Sequence, residues 1–186
     1  MLVINVIAGP GAGKSTLASG LYHRAKCRGW NVELVTEVAK DLVWEGRDVA
    51  LGNQAYVFGR QVQRLERLRG RVDVVITDSP ILLSAIYASE DYPEEWESVV
   101  VKLWKRYDNR VAFLERGPWF DDRGRVHNLD ASIEIDRRIA VLLDKHGITY
   151  TQVDHGYQDL DHVLDRAMQY DTCSEAILEK GGVTCT

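Results

Sequence analysis

Residues 2–16 read LVINVIAGPGAGKST. A branched apolar run of strand length gives way to a glycine-rich bend that ends in Lys-Ser-Thr. Glycines let successive backbone N–H groups turn inward and surround a nucleotide's β-phosphate. Gly9, Pro10, Gly11, Ala12, Gly13, Lys14, Ser15 and Thr16 therefore form a candidate phosphate cradle. In it Lys14 can reach the β- and γ-phosphates, and the Ser15 hydroxyl suits Mg²⁺. The helix expected from Lys14 points its positive N-terminal end at the anion. The full pattern wants Gly, four residues, then Gly-Lys-Ser/Thr, and its first position falls on Ala8. Alanine is tolerated there, at the edge of the loop beside the strand.

Outward from this stretch, short apolar runs alternate with longer amphipathic ones. Strands are expected at 2–8, 31–36 (NVELVT), 71–77 (RVDVVIT), 110–114 (RVAFL) and 148–153. Helices are expected at 14–28, 51–69, 93–107, 131–145 and 159–169. Strands alternating with helices of this length predict an α/β fold, a five-stranded parallel sheet of phosphate-loop type with helices on both faces. Ligands in such sheets bind beyond the carboxyl ends of the strands. The polar residues gather there: Gly9–Ser15, Glu37, Asp78 and the 116–125 stretch. A single domain is expected over 1–170, with a lid at about 116–130. The tail 171–186 has no strong period and is expected to be partly disordered.

The chain has 186 residues, 45% hydrophobic and 27% charged, with a formal net charge of −5. That balance is globular and argues against wholesale binding of nucleic acid, while leaving room for a local basic patch. Cys27, Cys173 and Cys185 stand far apart and form no CxxC pair, so neither a structural zinc nor a disulfide framework is expected. The five histidines show no ligand spacing. The amino terminus lacks the features of a signal peptide, and a cytoplasmic protein is expected. Trp30, Trp44, Trp96 and Trp104 read as packing residues.

VDVVITDSP, residues 72–80, is an apolar strand ending in an acid, the pattern in which a carboxylate holds Mg²⁺, often through water. Asp78 is that acid. Its position also suits a cap for the helix after Pro80, or a base for an acceptor hydroxyl. Glu37, directly after the second strand, either faces the acceptor as a general base or caps the next helix. The stretch ERGPWFDDRGRVH, 115–127, carries Arg116, Arg123 and Arg125 with Trp119, Phe120, Asp121 and Asp122, and precedes a helix with Arg137 and Arg138. Arginines that close over a transferring phosphoryl group stabilise its charge, and a lid keeps water out. Arg123, Arg125 and Arg137 are the candidates. On the helix from Leu51, Gln54, Gln61 and Arg64 are candidate substrate residues, together with Trp119 and Asp121 in the lid. Arg67 and Arg69 read as a solvated face.

These motifs together give the chain a resemblance to small P-loop kinases of nucleosides and nucleotides. It is most similar to the nicotinamide-riboside kinase domain and its phage relatives, often labelled AAA-type ATPases. The likeness spans roughly residues 2–168. It rests on AGPGAGKST, on Glu37 in TEVAKDL, on TDSPILLSAIY with Tyr87, and on LERGPWFDDRGRVH followed by EIDRRI and GITYTQV. Nicotinamide-riboside kinases usually carry Asp-Thr-Asp where this chain has Asp78-Ser79-Pro80. At this length a helical second domain of the AAA architecture is not expected, and no sensor motif stands out. The resemblance implies transfer of the γ-phosphate of ATP, with Mg²⁺, to a hydroxyl of a nucleoside-like acceptor. ATP is expected over GTP because no Asn-Lys-X-Asp motif is present. Two alternatives stay open. One is a phage-type kinase acting on DNA, at a hydroxymethylated base such as 5-hydroxymethyluracil or at a 5′ end. The other is a non-kinase NTPase switch.

Overall fold

The structure, a computed structural model, describes residues 1–118, 120, 128–156 and 159–179, with side chains as far as Gln169. Five strands form one sheet: β1 (Leu2–Ile7), β2 (Val32–Val35), β3 (Val74–Thr77), β4 (Asp108–Leu114) and β5 (Thr151–Val153). Their order is β2-β3-β1-β4-β5, and every pairing is parallel. The expected fold class is the one observed. β1 is fully buried because it lies at the centre with both faces covered.

Alternation along β1 divides the core. Leu2, Ile4, Val6 and Ala8 pack with Leu17, Leu21 and Ala25 of α1 (Lys14–Cys27) and with Val163, Leu164 and Ala167 of α8 (Leu160–Glu179). Val3 and Ile7 point the other way. They pack with residues of α4 (Gln54–Glu66), α6 (Trp96–Trp104) and α7 (Leu129–Lys145). Between them Asn5, 2% exposed, bonds to Asn109 Oδ1 (3.0 Å) and to the carbonyls of Val3 and Arg110. A smaller cluster of Val38, Leu42 and Val57 joins α2 (Val38–Trp44) to α4, beside the short α3 (Asp48–Gly52).

Several boundaries differ from those expected, for local reasons. The helix expected over 51–69 is two helices, α3 and α4, because Asn53 is extended (φ −90°, ψ 93°) and its Oδ1 caps α4 through the Tyr56 N–H at 3.0 Å. α6 begins at Trp96, since Pro93 lies in the preceding turn and its carbonyl accepts from Trp96 N–H. Asn128 caps α7 at Ala131 N–H, so that helix starts at Leu129. After β3 comes one 3₁₀ turn (Ile81–Leu83) and then the short α5 (Ser84–Tyr87). The backbone of α8 is helical through Glu179, past the expected boundary at 170. Trp44 is 68% exposed, so it is not the packing residue it was expected to be. Trp30, Trp96 and Trp104 do pack against the core. Among the described residues no helix is long and apolar enough to cross a membrane.

Candidate functional site

The loop after β1 runs directly into α1. Gly11 (φ 75°) and Gly13 (φ 99°) are both left-handed, the conformation an inward-turned nest of N–H groups requires. Gly13 occupies the cap position of α1, where no side chain among the described residues caps the helix, and the first turn holds no acid. Lys14 is 7% exposed, and its Nζ donates to the Gly9 carbonyl at 3.0 Å, so the ammonium stays folded over the loop. Ser15, on the first turn, is partly exposed. The arrangement fits a triphosphate, with backbone donors, a helix N-terminus and an ammonium converging on one point.

The loop is braced from behind by two residues. The Arg116 guanidinium, just past β4, pairs with Asp136 of α7 at 2.8 Å. It also donates to the Pro10 carbonyl at 2.9 Å. The Gly9 N–H donates to Asp136 Oδ1. Gly9 is glycine because a Cβ there would lie 2.4 Å from the Ser132 carbonyl oxygen of α7. Arg116 thus serves the loop's backbone, and the sequence signal for Asp136 was hidden inside an ordinary amphipathic helix.

Asp78 follows β3 and is 4% exposed. Among the described residues its Oδ1 is buried with no hydrogen-bond donor. A carboxylate oxygen left without a donor in a buried setting costs about 1–3 kcal/mol unless something else satisfies it. A cation bound beside the loop would do so, so Asp78 and Ser15 fit a Mg²⁺ ion. The alternative role as a helix cap is not taken up: Pro80 occupies the cap position of the following turn, and Asp78 makes no capping bond. Ser79 N–H is held instead by Thr77 Oγ1 at 3.1 Å.

Glu37 sits at the cap position of α2 with an extended backbone (φ −70°, ψ 124°), and its side chain makes no capping bond among the described residues. It lines a cleft of about 480 Å³ that starts at Pro10 and Lys14 of the loop. Ser79, Pro80, Leu83, Ser84 and Tyr87 form one wall of this cleft, and Gln54, Val57 and Gln61 of α4 another. Val43, Asp48 and Leu51 continue it. The α4 wall is held by Phe58 edge-on to Trp96 (centroids 5.4 Å) and by the Tyr92 hydroxyl accepting from Ala55 N–H. Lys40, Asp48, Ser84 and Tyr87 join the candidate residues here. Of these only Tyr87 had a signal in the sequence.

The expected site residues divide accordingly. Lys14, Glu37, Gln54 and Gln61 share one cleft with Pro10, and Asp78 directly precedes Ser79 of the same wall. The Gln61 amide is engaged with backbone, because its Oε1 accepts from Val38 N–H (3.1 Å) and its Nε2 donates to the Thr36 carbonyl (3.2 Å). Arg64 is turned to the Thr36 carbonyl (2.9 Å) and to Asp41. Gln61 and Arg64, expected as substrate residues, are held here by the backbone around Glu37. Arg137 lies apart from this cleft. It pairs with Glu134 on the same helix at 3.1 Å, with its side chain 72% exposed, and lines a different surface with Ile86 and Val141. Trp119, Asp121, Arg123 and Arg125 lie outside the described residues.

A central parallel sheet in this order, with a glycine-rich loop after β1 and an acid after β3, defines a protein of the P-loop NTPase fold class. A family model described as an AAA domain matches residues 3–159, and the chain belongs to that family. No curated protein matches it. Among solved structures it is similar to the NadR protein in complex with NR, at 16% identity and a TM-score of 0.59, covering 99% of this chain and 52% of that one. The chain therefore spans about half the length of that protein. It is also similar to deoxyadenosine kinase from M. mycoides with bound dATP, at 14% identity and a TM-score of 0.46, covering 91% of this chain and 99% of that one.

Proposed function

We propose that the chain is an ATP-dependent kinase that transfers the γ-phosphate to a hydroxyl of a nucleoside-like acceptor. The observation that carries this is the cleft itself. Its lining joins Pro10 and Lys14 of the phosphate loop to apolar side chains of Val43, Leu51, Val57 and Leu83. A protein that only hydrolyses a nucleotide needs no second chamber beside the phosphates. About 480 Å³ lies within the usual range for a small-molecule pocket. Apolar walls suit a flat base or pyridine ring, and Gln54 and Tyr87 offer polar groups for its edge.

In this reading the loop amides and Lys14 hold the β- and γ-phosphates. Ser15 and Asp78 would hold Mg²⁺, which supplies neutralisation of the phosphate oxygens. Glu37 accepts the hydrogen bond of the acceptor hydroxyl, orients it toward the γ-phosphorus and takes its proton as the new bond forms. Arg116 and Asp136 keep the loop in place so that the donors need no rearrangement during transfer. Catalysis then comes from positioning and charge, not from a covalent intermediate. Among the described residues no arginine lines the cleft, and its cations are Lys14 and Lys40.

The test is ADP release from ATP alone and with nicotinamide riboside, purine and pyrimidine nucleosides, nucleoside monophosphates, and normal or hydroxymethylated DNA. Slow release alone and fast release with a nucleoside supports the proposal. Stimulation by DNA only would move the acceptor into a polymer. Fast hydrolysis indifferent to all of them would make the protein an NTPase switch.

A further inference from the structure

Gln54, Val57, Gln61 and Arg64 fall at helical spacing along one side of α4, beside its buried Phe58 and Leu65. The first three line the cleft. The last two hold the peptide units around Glu37. Gln61 is 3% exposed, and its amide spans the break between β2 and α2. One end accepts from Val38 N–H and the other donates to the Thr36 carbonyl, the residues on either side of Glu37. Arg64 adds bonds to the Thr36 carbonyl and to Thr36 Oγ1 at 3.2 Å, and pairs with Asp41 inside α2.

The backbone of Glu37 is thus bracketed on both sides by one buried amide. Val38 N–H is one of the first-turn donors that α2 itself leaves without an acceptor. Gln61 Oε1 supplies that acceptor, next to Glu37 at the cap position. Because the same helix carries Gln54 and Val57, a single rigid element sets both the acceptor's seat and the carboxylate that meets it.

We propose that Gln61, backed by Arg64, is a positioning residue that fixes Glu37 relative to the acceptor hydroxyl. This rests on the reading of Glu37 as the group that orients the acceptor. Gln61→Met removes both bonds at similar volume. Gln61→Glu keeps the acceptor for Val38 N–H but loses the donor to Thr36.

The experiment is a double-mutant cycle of Gln61→Met and Glu37→Gln, read on phosphorylation of nicotinamide riboside. It is read in parallel on intrinsic ATP hydrolysis, where water takes the acceptor's place. Gln61→Met is expected to lower kcat/KM for the acceptor by about 10- to 100-fold, the cost of a small misplacement of a reacting group. ATP affinity stays at the wild-type value. Gln61→Glu loses less, and it decides the matter should the Met variant fail to fold. In the Glu37→Gln background the Gln61 change adds no further loss, because the group it positions is already gone. Losses that multiply in full, an ATP affinity that falls in step, or wild-type turnover from both Gln61 variants while Glu37→Gln is inactive would each overturn the proposal. Wild-type turnover from Glu37→Gln would instead overturn the role of Glu37 itself.

Discussion

Gly9→Ala places one methyl group at the tightest point of the phosphate loop. Its Cβ would stand 2.4 Å from the Ser132 carbonyl oxygen, and 2.9 Å from both Arg116 Nη2 and Asp136 Oδ1. An ordinary C···O contact is about 3.3 Å or longer, so the overlap with Ser132 is about 0.9 Å. Ser132 O is backbone inside α7 and cannot rotate away as a side-chain tip would. Either α7 moves or the loop does, and either movement breaks the bonds from Gly9 N–H to Asp136 and from Arg116 to Pro10. Overpacking of this kind costs about 1–3 kcal/mol. For a chain of this size that lowers Tm by about 2–4 °C per kcal/mol. The displaced loop also loses ATP affinity, by about tenfold for each 1.4 kcal/mol of lost contact. Thermal unfolding and calorimetric titration with ATP measure both. The control is Gly59→Ala, in the middle of α4, where a Cβ meets nothing within 4 Å. It should raise stability by about 1 kcal/mol. If Gly9→Ala unfolds at the wild-type temperature and binds ATP as tightly, the bracing of the loop by α7 is wrong.

Lys14→Ala should abolish phosphoryl transfer while circular dichroism shows the fold intact; transfer that survives would move the site elsewhere. Asp78→Asn should abolish Mg²⁺-dependent turnover yet leave the nucleotide-free protein at least as stable as wild type in thermal unfolding. The buried Oδ1 has no donor among the described residues, and an amide there forfeits no bond. Glu97 concerns pH. A hydrogen bond from Lys145, with a further one from His146, holds its carboxyl below the usual value against the opposing effect of burial. A lowered folded-state pKa gives stability that is present above the unfolded value and lost as pH falls through the folded one. Denaturant titrations from pH 6 down to about pH 3 should therefore show a steeper loss for wild type than for Glu97→Gln.

The sheet was legible because the strands are short, mostly apolar runs, β-branched in β1 and β3, each followed by a polar break. The phosphate loop was legible because its geometry depends on glycine and lysine at fixed spacing. Helix boundaries were less so. The break at Asn53 depends on one side-chain cap inside a stretch whose apolar pattern continues. Glu37 and Asp78 could be placed at strand ends, but the partners that set their roles lie far away in sequence. Gln61 meets Glu37's neighbours across a helix, and Asp136 meets Gly9 across more than a hundred residues of chain. Arginines show the limit most clearly. Their number near residue 116 suggested charge for a transferring phosphate, yet Arg116 serves the loop's own carbonyl, Arg138 donates to the Ile86 carbonyl, and Arg137 points to solvent. Composition fixes how many cations a segment has, while only packing decides which of them a carbonyl or carboxylate has already taken.

The central claim is that a hydroxyl, not water, receives the γ-phosphate in the cleft between the loop and α4. Phosphorus NMR of the protein with Mg²⁺, ATP and a nucleoside panel including nicotinamide riboside observes the fate of that phosphate directly. Transfer to a hydroxyl gives a new phosphomonoester resonance, coupled to a ribose or deoxyribose proton, that grows as the γ-phosphate signal falls. Inorganic phosphate as the sole product, formed at the same rate with and without every nucleoside, would contradict it.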